Sequence, residues 1–143
     1  LVRADAQRLP FRAAAFDRVA AFSMLMFLDP GRTLAEMARV LRPDGLAAAV
    51  EPLSGNPLLR LYRAARRRYA GLARWLGRDE LAEHFRRRFV ITASHGFYLL
   101  PLGGLLSTGR ARERWQRGET VLTRALPFLR RYSWILVIAG RRR

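Results

Sequence analysis

Between Phe16 and Pro52 the chain reads FDRVAAFSML, then an Asp29-Pro30 step, then LRPDG, then LAAAVEP. Few folds accommodate that order. FDRVAAFSML is apolar at successive positions, so it reads as a strand covered on both faces, as parallel strands are. Asp29 suits a helix N-cap, and Pro30 suits the first helical position, where a missing N–H is harmless. Leu34, Met37, Ala38 and Leu41 then recur at helical spacing and give one apolar face. Arg42-Pro43-Asp44-Gly45 reads as the stop and turn, because proline disfavours helix in the residue before it and Asp-Gly turns readily. Residues 46–52 form the next strand. Strand, helix and strand within about 35 residues make a right-handed βαβ crossover, hence a parallel pair.

Composition narrows the chemistry. The 143 residues suit one domain, and half are hydrophobic, enough for an ordered core. With no cysteine, disulfides, thiolate metal sites and cysteine nucleophiles are excluded. His84 and His95 alone argue against a protein-only zinc site, and no metal is expected. The apolar stretches 97–106 and 134–140 fall short of the roughly 20 residues of a membrane helix, and no secretory signal opens the chain. A soluble, cytoplasmic protein is therefore expected. All basic residues are arginine, a habit of base composition that weakens any argument from the net charge of +16. Residues 1–56 carry 7 arginines against 6 acids, and residues 57–143 carry 20 against 5. The second part is the one able to face an anionic partner.

Beyond the βαβ unit the pattern predicts a helix over about 57–76 with Leu58, Leu61, Tyr62, Ala65, Tyr69, Leu72 and Leu76 as its packing stripe, ended by Gly77. Asp79 is read as the cap of a short helix, DELAEHFRRR, that holds His84 as a surface residue. FVITASHGF reads as a strand followed by a Gly-Pro-rich loop to Gly104. A last helix starts near Ser107 or Thr108, turns Trp115, Leu122 and Leu126 inward, and breaks at Pro127. RYSWILVIAGRRR closes the chain as a strand with a basic tail. The expected fold class is α/β, one domain over residues 1–143, with a cofactor-side half (1–56) and a basic substrate-side half (57–143).

The order DAQRLPF, FDRV, an apolar strand ending in Ser23, LRPDG, EP and NP resembles the class I S-adenosylmethionine-dependent methyltransferases, in particular those acting on small molecules and lipids. The likeness covers residues 4–57 and departs from the family phrase Leu-Lys-Pro-Gly-Gly at Asp44. It implies a Rossmann-like sheet, mostly parallel with a terminal antiparallel strand, and S-adenosylmethionine as cofactor. It further implies that Asp5 accepts from the adenine amine while Ala6 and Gln7 meet the ring edge. Ser23 and Met24 would line the pocket at the carboxyl edge of the sheet. Pro10 and Phe11 would shape the turn beneath the adenine, and Asp17 is structural. The family's glycine-rich loop and ribose-gripping acid have no counterpart here. That absence and an opening on Leu1 lead to the expectation that the chain is the C-terminal part of a methyltransferase.

Methyl transfer asks the protein for alignment and a dry pocket, with a base only for some acceptors. Glu51, His95 and Tyr98 are the candidates for the acceptor side. His95 is placed in a loop beside Tyr98, and each candidate has a structural alternative: Glu51 as a cap, His95 as a merely structural histidine, Tyr98 as core or lid. The expected partner is a small-molecule or lipid-like methyl acceptor, with peripheral contact to an anionic membrane kept open. The rival readings are a non-catalytic remnant and an arginine-rich module for nucleic acid or anionic lipid. The second would use the runs at residues 66–68, 86–88 and 141–143, although no RNA-binding or helix-turn-helix signature accompanies them.

Overall fold

The computed structural model describes residues 1–65, 71, 73–99 and 108–143. The first half follows the predicted crossover. β1 (Phe16–Phe22) leads through a 3-10 turn at Leu25–Phe27 to α1 (Pro30–Val40), which returns to β2 (Leu41–Pro52). The Asp29 side chain accepts from Arg32 N at 2.8 Å, as the expected N-cap. LRPDG does not precede β2 but lies within it. Phe16 pairs with Leu41 and Arg18 with Leu46, so residues 42–45 bulge out between these pairs. Asp44 has φ 61°, a left-handed conformation that aspartate tolerates better than most side chains, which is how it stands in for glycine.

Next come α2 (Pro57–Ala65), α3 (Arg78–Arg86), β3 (Phe89–Phe97), α4 (Gly109–Ala125), a 3-10 turn at Pro127–Tyr132, and β4 (Ile135–Arg142). The sheet order is β1-β2-β4-β3. β1 and β2 are parallel, whereas β4 pairs antiparallel with both β2 and β3. Three strands thus run one way, and the last strand of the chain runs against them in the interior of the sheet.

One face carries the helices. Ala47 and Ala49 of β2, Leu136 and Ile138 of β4 and Ala21 of β1 pack with Leu34 and Met37 of α1 and with Leu81 and Phe85 of α3 in a single core. Alternation along the strands leaves Ala48, Val50, Val137 and Ala139 half-buried on the other face. β1 is accordingly not covered on both sides as its composition suggests. In this four-stranded sheet it lies outermost, with Val19 and Ala21 facing the core and Phe22 73% exposed.

Four local expectations change. α2 stops at Ala65 among the described residues, residues 73–77 are not helical, and Leu59, not the stripe of Leu58, Leu61 and Tyr62, is the buried residue. Arg66, Arg67, Arg68, Tyr69 and Leu72 lie outside the described residues, as do residues 100–107 of the Gly-Pro-rich loop with Ser107. Gly77 caps α3, with Glu80 Oε2 accepting from Gly77 N, and Asp79 sits in the first turn. His84 is half-buried, its Nδ1 enclosed beside the start of α1, because α3 packs on α1 at that point. α4 ends before Pro127 as expected but buries nothing: Trp115, Leu122 and Leu126 are all at least 37% exposed.

Candidate functional site

The topology brings four chain ends to one sheet edge. β1 ends at Phe22 and β2 at Pro52; β4 begins at Ile135 opposite Pro52, and β3 ends at Phe97 opposite Ile135. Ser23, Glu51, Trp134 and Tyr98 therefore stand along the carboxyl edge of the co-directional strands, spread over three strand spacings, about 14 Å. This is the edge at which open α/β sheets collect ligands.

At the β1 end the chain turns sharply. Ser23 has φ 49°, a conformation that costs energy in a residue with a Cβ. Three hydrogen bonds hold it there. Ser23 N donates to Val50 O at 2.8 Å, and Glu51 Oε1 accepts from Met24 N and Leu25 N at 3.0 and 3.1 Å. Glu51 is 1% exposed, and its second oxygen, Oε2, has no hydrogen-bond partner. Burial pushes its carboxyl above the ordinary range, opposed by the backbone N–H groups of Leu25, Met24 and Met26. Glu51 thus reaches the predicted edge, but its carboxylate turns into the protein against the Ser23 turn. Met24 packs on the core with its side chain, which leaves its backbone at the edge.

Asp5, Ala6 and Gln7 form a small turn. Asp5 Oδ1 accepts from Gln7 N at 2.8 Å, and Asp5 O accepts from Arg8 N at 3.0 Å. Gln7 Oε1 accepts from Asp29 N, joining this turn to the start of α1. The segment that follows is fastened by a pair the sequence reading passed over. Glu36 Oε2 accepts from Leu9 N, while Arg39 donates to Leu9 O and Phe11 O and pairs with Glu36 at 2.7 Å. The bond from Arg39 holds the Glu36 carboxyl below its ordinary range. An acid and a base three apart on a helix was the available signal, although such pairs most often just face water. Phe11 packs edge-on against Phe16, with ring centroids 5.0 Å apart. Asp17 pairs with Arg42 at 2.7 Å on the surface.

At the far end of the edge, His95 lies inside β3, the strand expected over FVITASHGF, paired with Val137 and not in a following loop. Strand pairing continues through Phe97, so the turn comes later, at Tyr98, with φ 57°. The Tyr98 ring lies 6.0 Å from that of Trp134. Asn56, also unforeseen, ties the loops together. Its Nδ2 donates to Leu99 O and Tyr132 O at 2.8 and 2.7 Å, and its Oδ1 accepts from Leu59 N at the start of α2. Asparagine before proline signals a cap; the two remote bonds become visible only once the strands are placed. A cavity of about 890 Å³ opens between the β3 edge and α4, with His95, Tyr98 and Arg78 on its wall. The structure therefore gathers Ser23, Met24 and Glu51 at one end of the edge, and His95 and Tyr98 at the other.

The fold and the pattern of the first third agree with known proteins. Residues 1–49 match a family described as methyltransferase domain. The chain is 38% identical over 89 residues to an uncharacterized chloroplastic methyltransferase of Arabidopsis thaliana, covering 58% of this chain and 25% of that protein. In structure it superposes with a TM-score of 0.67 on a S-adenosylmethionine-dependent methyltransferase of Thermotoga maritima described as a possible histamine N-methyltransferase. That match is at 16% identity and covers 99% of this chain and 63% of the other. A geranyl diphosphate C-methyltransferase of Streptomyces coelicolor, solved with Mg2+, geranyl diphosphate and S-adenosylhomocysteine, gives 0.66 at 15% identity, covering 98% and 51%. The chain thus has the Rossmann-like fold of class I S-adenosylmethionine-dependent methyltransferases, and its first third carries their sequence pattern. It spans between a quarter and two thirds of the length of these relatives. Among the described residues no helix is long and apolar enough to cross a membrane.

Proposed function

We propose that the chain works in S-adenosylmethionine-dependent methyl transfer to a small-molecule or lipid-like acceptor. In this reading residues 1–56 form the cofactor side and residues 57–143 the basic substrate side, and the protein is cytoplasmic. The observation that carries it is the Ser23 turn. A non-glycine residue is held at positive φ by a fully buried glutamate, at the ligand edge of a methyltransferase-type sheet.

The residues present fit one end of the cofactor. Asp5 is exposed and pinned through Oδ1 in its own turn, which leaves Oδ2 to accept from an exocyclic amine. The backbone of Ala6 and Gln7 would meet the ring edge, and the backbone of Ser23 and Met24 would line the pocket. S-adenosylmethionine, when bound, supplies a methyl group on a sulfonium, already activated for in-line displacement. The task left to this chain is placement. Glu51 fixes the Ser23 turn, and the Glu36–Arg39 pair fixes the segment carrying Asp5. On the acceptor side, His95 and Tyr98 are the groups that could take a proton from a hydroxyl or phenol. Glu51, the third candidate, is assigned to holding the turn.

Calorimetric titration with S-adenosylhomocysteine tests the reading. Asp5→Ala should weaken binding about tenfold, the scale of one charged hydrogen bond, with an unchanged melting temperature. Equal affinity in the two proteins contradicts the assignment. A second reading, contact with an anionic lipid surface, is favoured by α4. That helix exposes Trp115, Val121 and Leu122 among Arg110, Arg114 and Arg117.

A further inference from the structure

Arg78 opens α3 and lies on the helix-bearing face of β3. Its Nη2 donates to Ser94 Oγ and its Nη1 to Arg130 O, both at 3.3 Å. Directly opposite Leu136 in the sheet stands Gly96, and the space its side chain would occupy is already used. A Cβ there would overlap the Ser133 side chain and come within 3.0 Å of Arg78 Nη1. The guanidinium is thus pressed against bare strand backbone, with the buried Ser133 beside it.

The Arg78 side chain is half-buried, and the acceptors that meet its N–H groups here, Ser94 Oγ and Arg130 O, are neutral. Among the described residues Arg78 forms no ion pair, and neither do Arg124 and Arg130 on the same cavity wall. Burial lowers the Arg78 pKa, Asp79 opposing and Arg130 adding to that shift. The wall also carries two acids. Glu113 faces Arg117 at 3.8 Å, and Glu119 accepts from Trp115 Nε1 at 3.2 Å. Three arginines therefore line an 890 Å³ cavity without a counter-charge within ion-pair distance.

We propose that this cavity binds an oxyanion, a carboxylate or phosphate group of a small molecule, through the Arg78 guanidinium beside Gly96. Arg124 and Arg130 raise the local potential, and the remaining Arg78 N–H groups make the contact. The inference rests on the proposed function for its meaning, since the cavity borders His95 and Tyr98 and the anion would be the handle of the methyl acceptor. Arg78 would be a specificity-determining residue and not a catalytic one.

The test needs no cofactor, so its failure and that of the methyl-transfer reading can be told apart. The whole chain is titrated with sodium diphosphate, and separately with benzoate, at fixed ionic strength. Arg78→Gln is compared with Arg114→Gln, a change on the exposed side of α4. The expected result is at least about a tenfold loss of affinity for one or both anions in R78Q and little change in R114Q. Preference between diphosphate and benzoate distinguishes phosphate from carboxylate chemistry. Equal losses in the two variants, or none, overturn the proposal and leave only general attraction to a basic surface. Amide shift mapping on the unaltered chain covers the case in which R78Q does not fold. Shifts at Ser94–Leu99 and Ser133 support the site, whereas shifts confined to Arg141–Arg143 overturn it.

Discussion

The β1–α1–β2 unit and the α2 and α4 region are built on opposite terms. In the first, Leu34, Leu41, Ala47 and Ala49 are sealed in the core, and polar side chains at the edge are spoken for: Glu51 by backbone N–H groups, Glu36 by Arg39. In the second, Leu58, Leu61, Trp115, Val121 and Leu122 face outward between arginines, and α4 buries none of its residues. One region spends its apolar side chains on stability, and the other leaves them available to a ligand, a lipid or a partner. Under the proposed function, the first region would be the cofactor wall and the second the acceptor wall.

Identical truncations on the two sides should separate them most widely. Leu34→Ala removes a side chain with no exposure and should cost about 2–5 kcal/mol by chemical denaturation. Leu122→Ala, 38% exposed at the start, should cost less than about 0.5 kcal/mol. Similar losses would mean that α4 is packed and that the contrast is wrong. Asn56→Ala comes next. It breaks three bonds that fasten the ends of β3 and β4 to α2, and should cost about 1–3 kcal/mol through unsatisfied buried carbonyls.

Glu51 sharpens the comparison through pH. Its folded pKa lies above the ordinary 4.5, so its contribution is fully present below pH 4.5 and is lost as pH rises through the folded value. Asp29 and Glu36 act with the opposite sign: lowered in the fold, they stabilise above their ordinary values and lose that contribution as pH falls. Comparing Glu51→Gln with the unaltered chain isolates the first effect. The variant should compare best near pH 7 and progressively worse toward pH 4. A difference independent of pH would show that Glu51 is not held in a desolvated site. The smallest expected effect is at the exposed Asp17–Arg42 pair, where Asp17→Asn should change stability by less than about 1 kcal/mol.

Local chemistry was readable where one residue decides the outcome. Asp29 and Pro30 start α1, Pro127 ends α4, and LAAAVEP marks residues 46–52 of β2. Features that depend on neighbours distant in sequence were not readable. FDRVAAFSML looks like a strand covered on both faces, but coverage depends on packing by elements distant in sequence, and in this four-stranded sheet only Val19 and Ala21 of β1 meet the core. The strand FVITASHGF was readable with His95 in it, whereas the placing of His95 in a loop beside Tyr98 fails because pairing with β4 runs on through Phe97. Glu51 was placed at the correct edge by counting along β2, yet whether it faced the acceptor or the protein rested on the path of residues 23–26. Arg78 could not be picked out among 27 basic residues, since its distinction is the absent side chain of Gly96 eighteen positions away.

The central claim is that the Ser23 end of the sheet is a cofactor wall. Amide shift mapping of the isotopically labelled chain with S-adenosylhomocysteine at millimolar concentration addresses it most directly. Shifts centred on Asp5–Gln7 and Ser23–Leu25 are the predicted result. No saturable shifts, or shifts confined to β3 and α4, would contradict it.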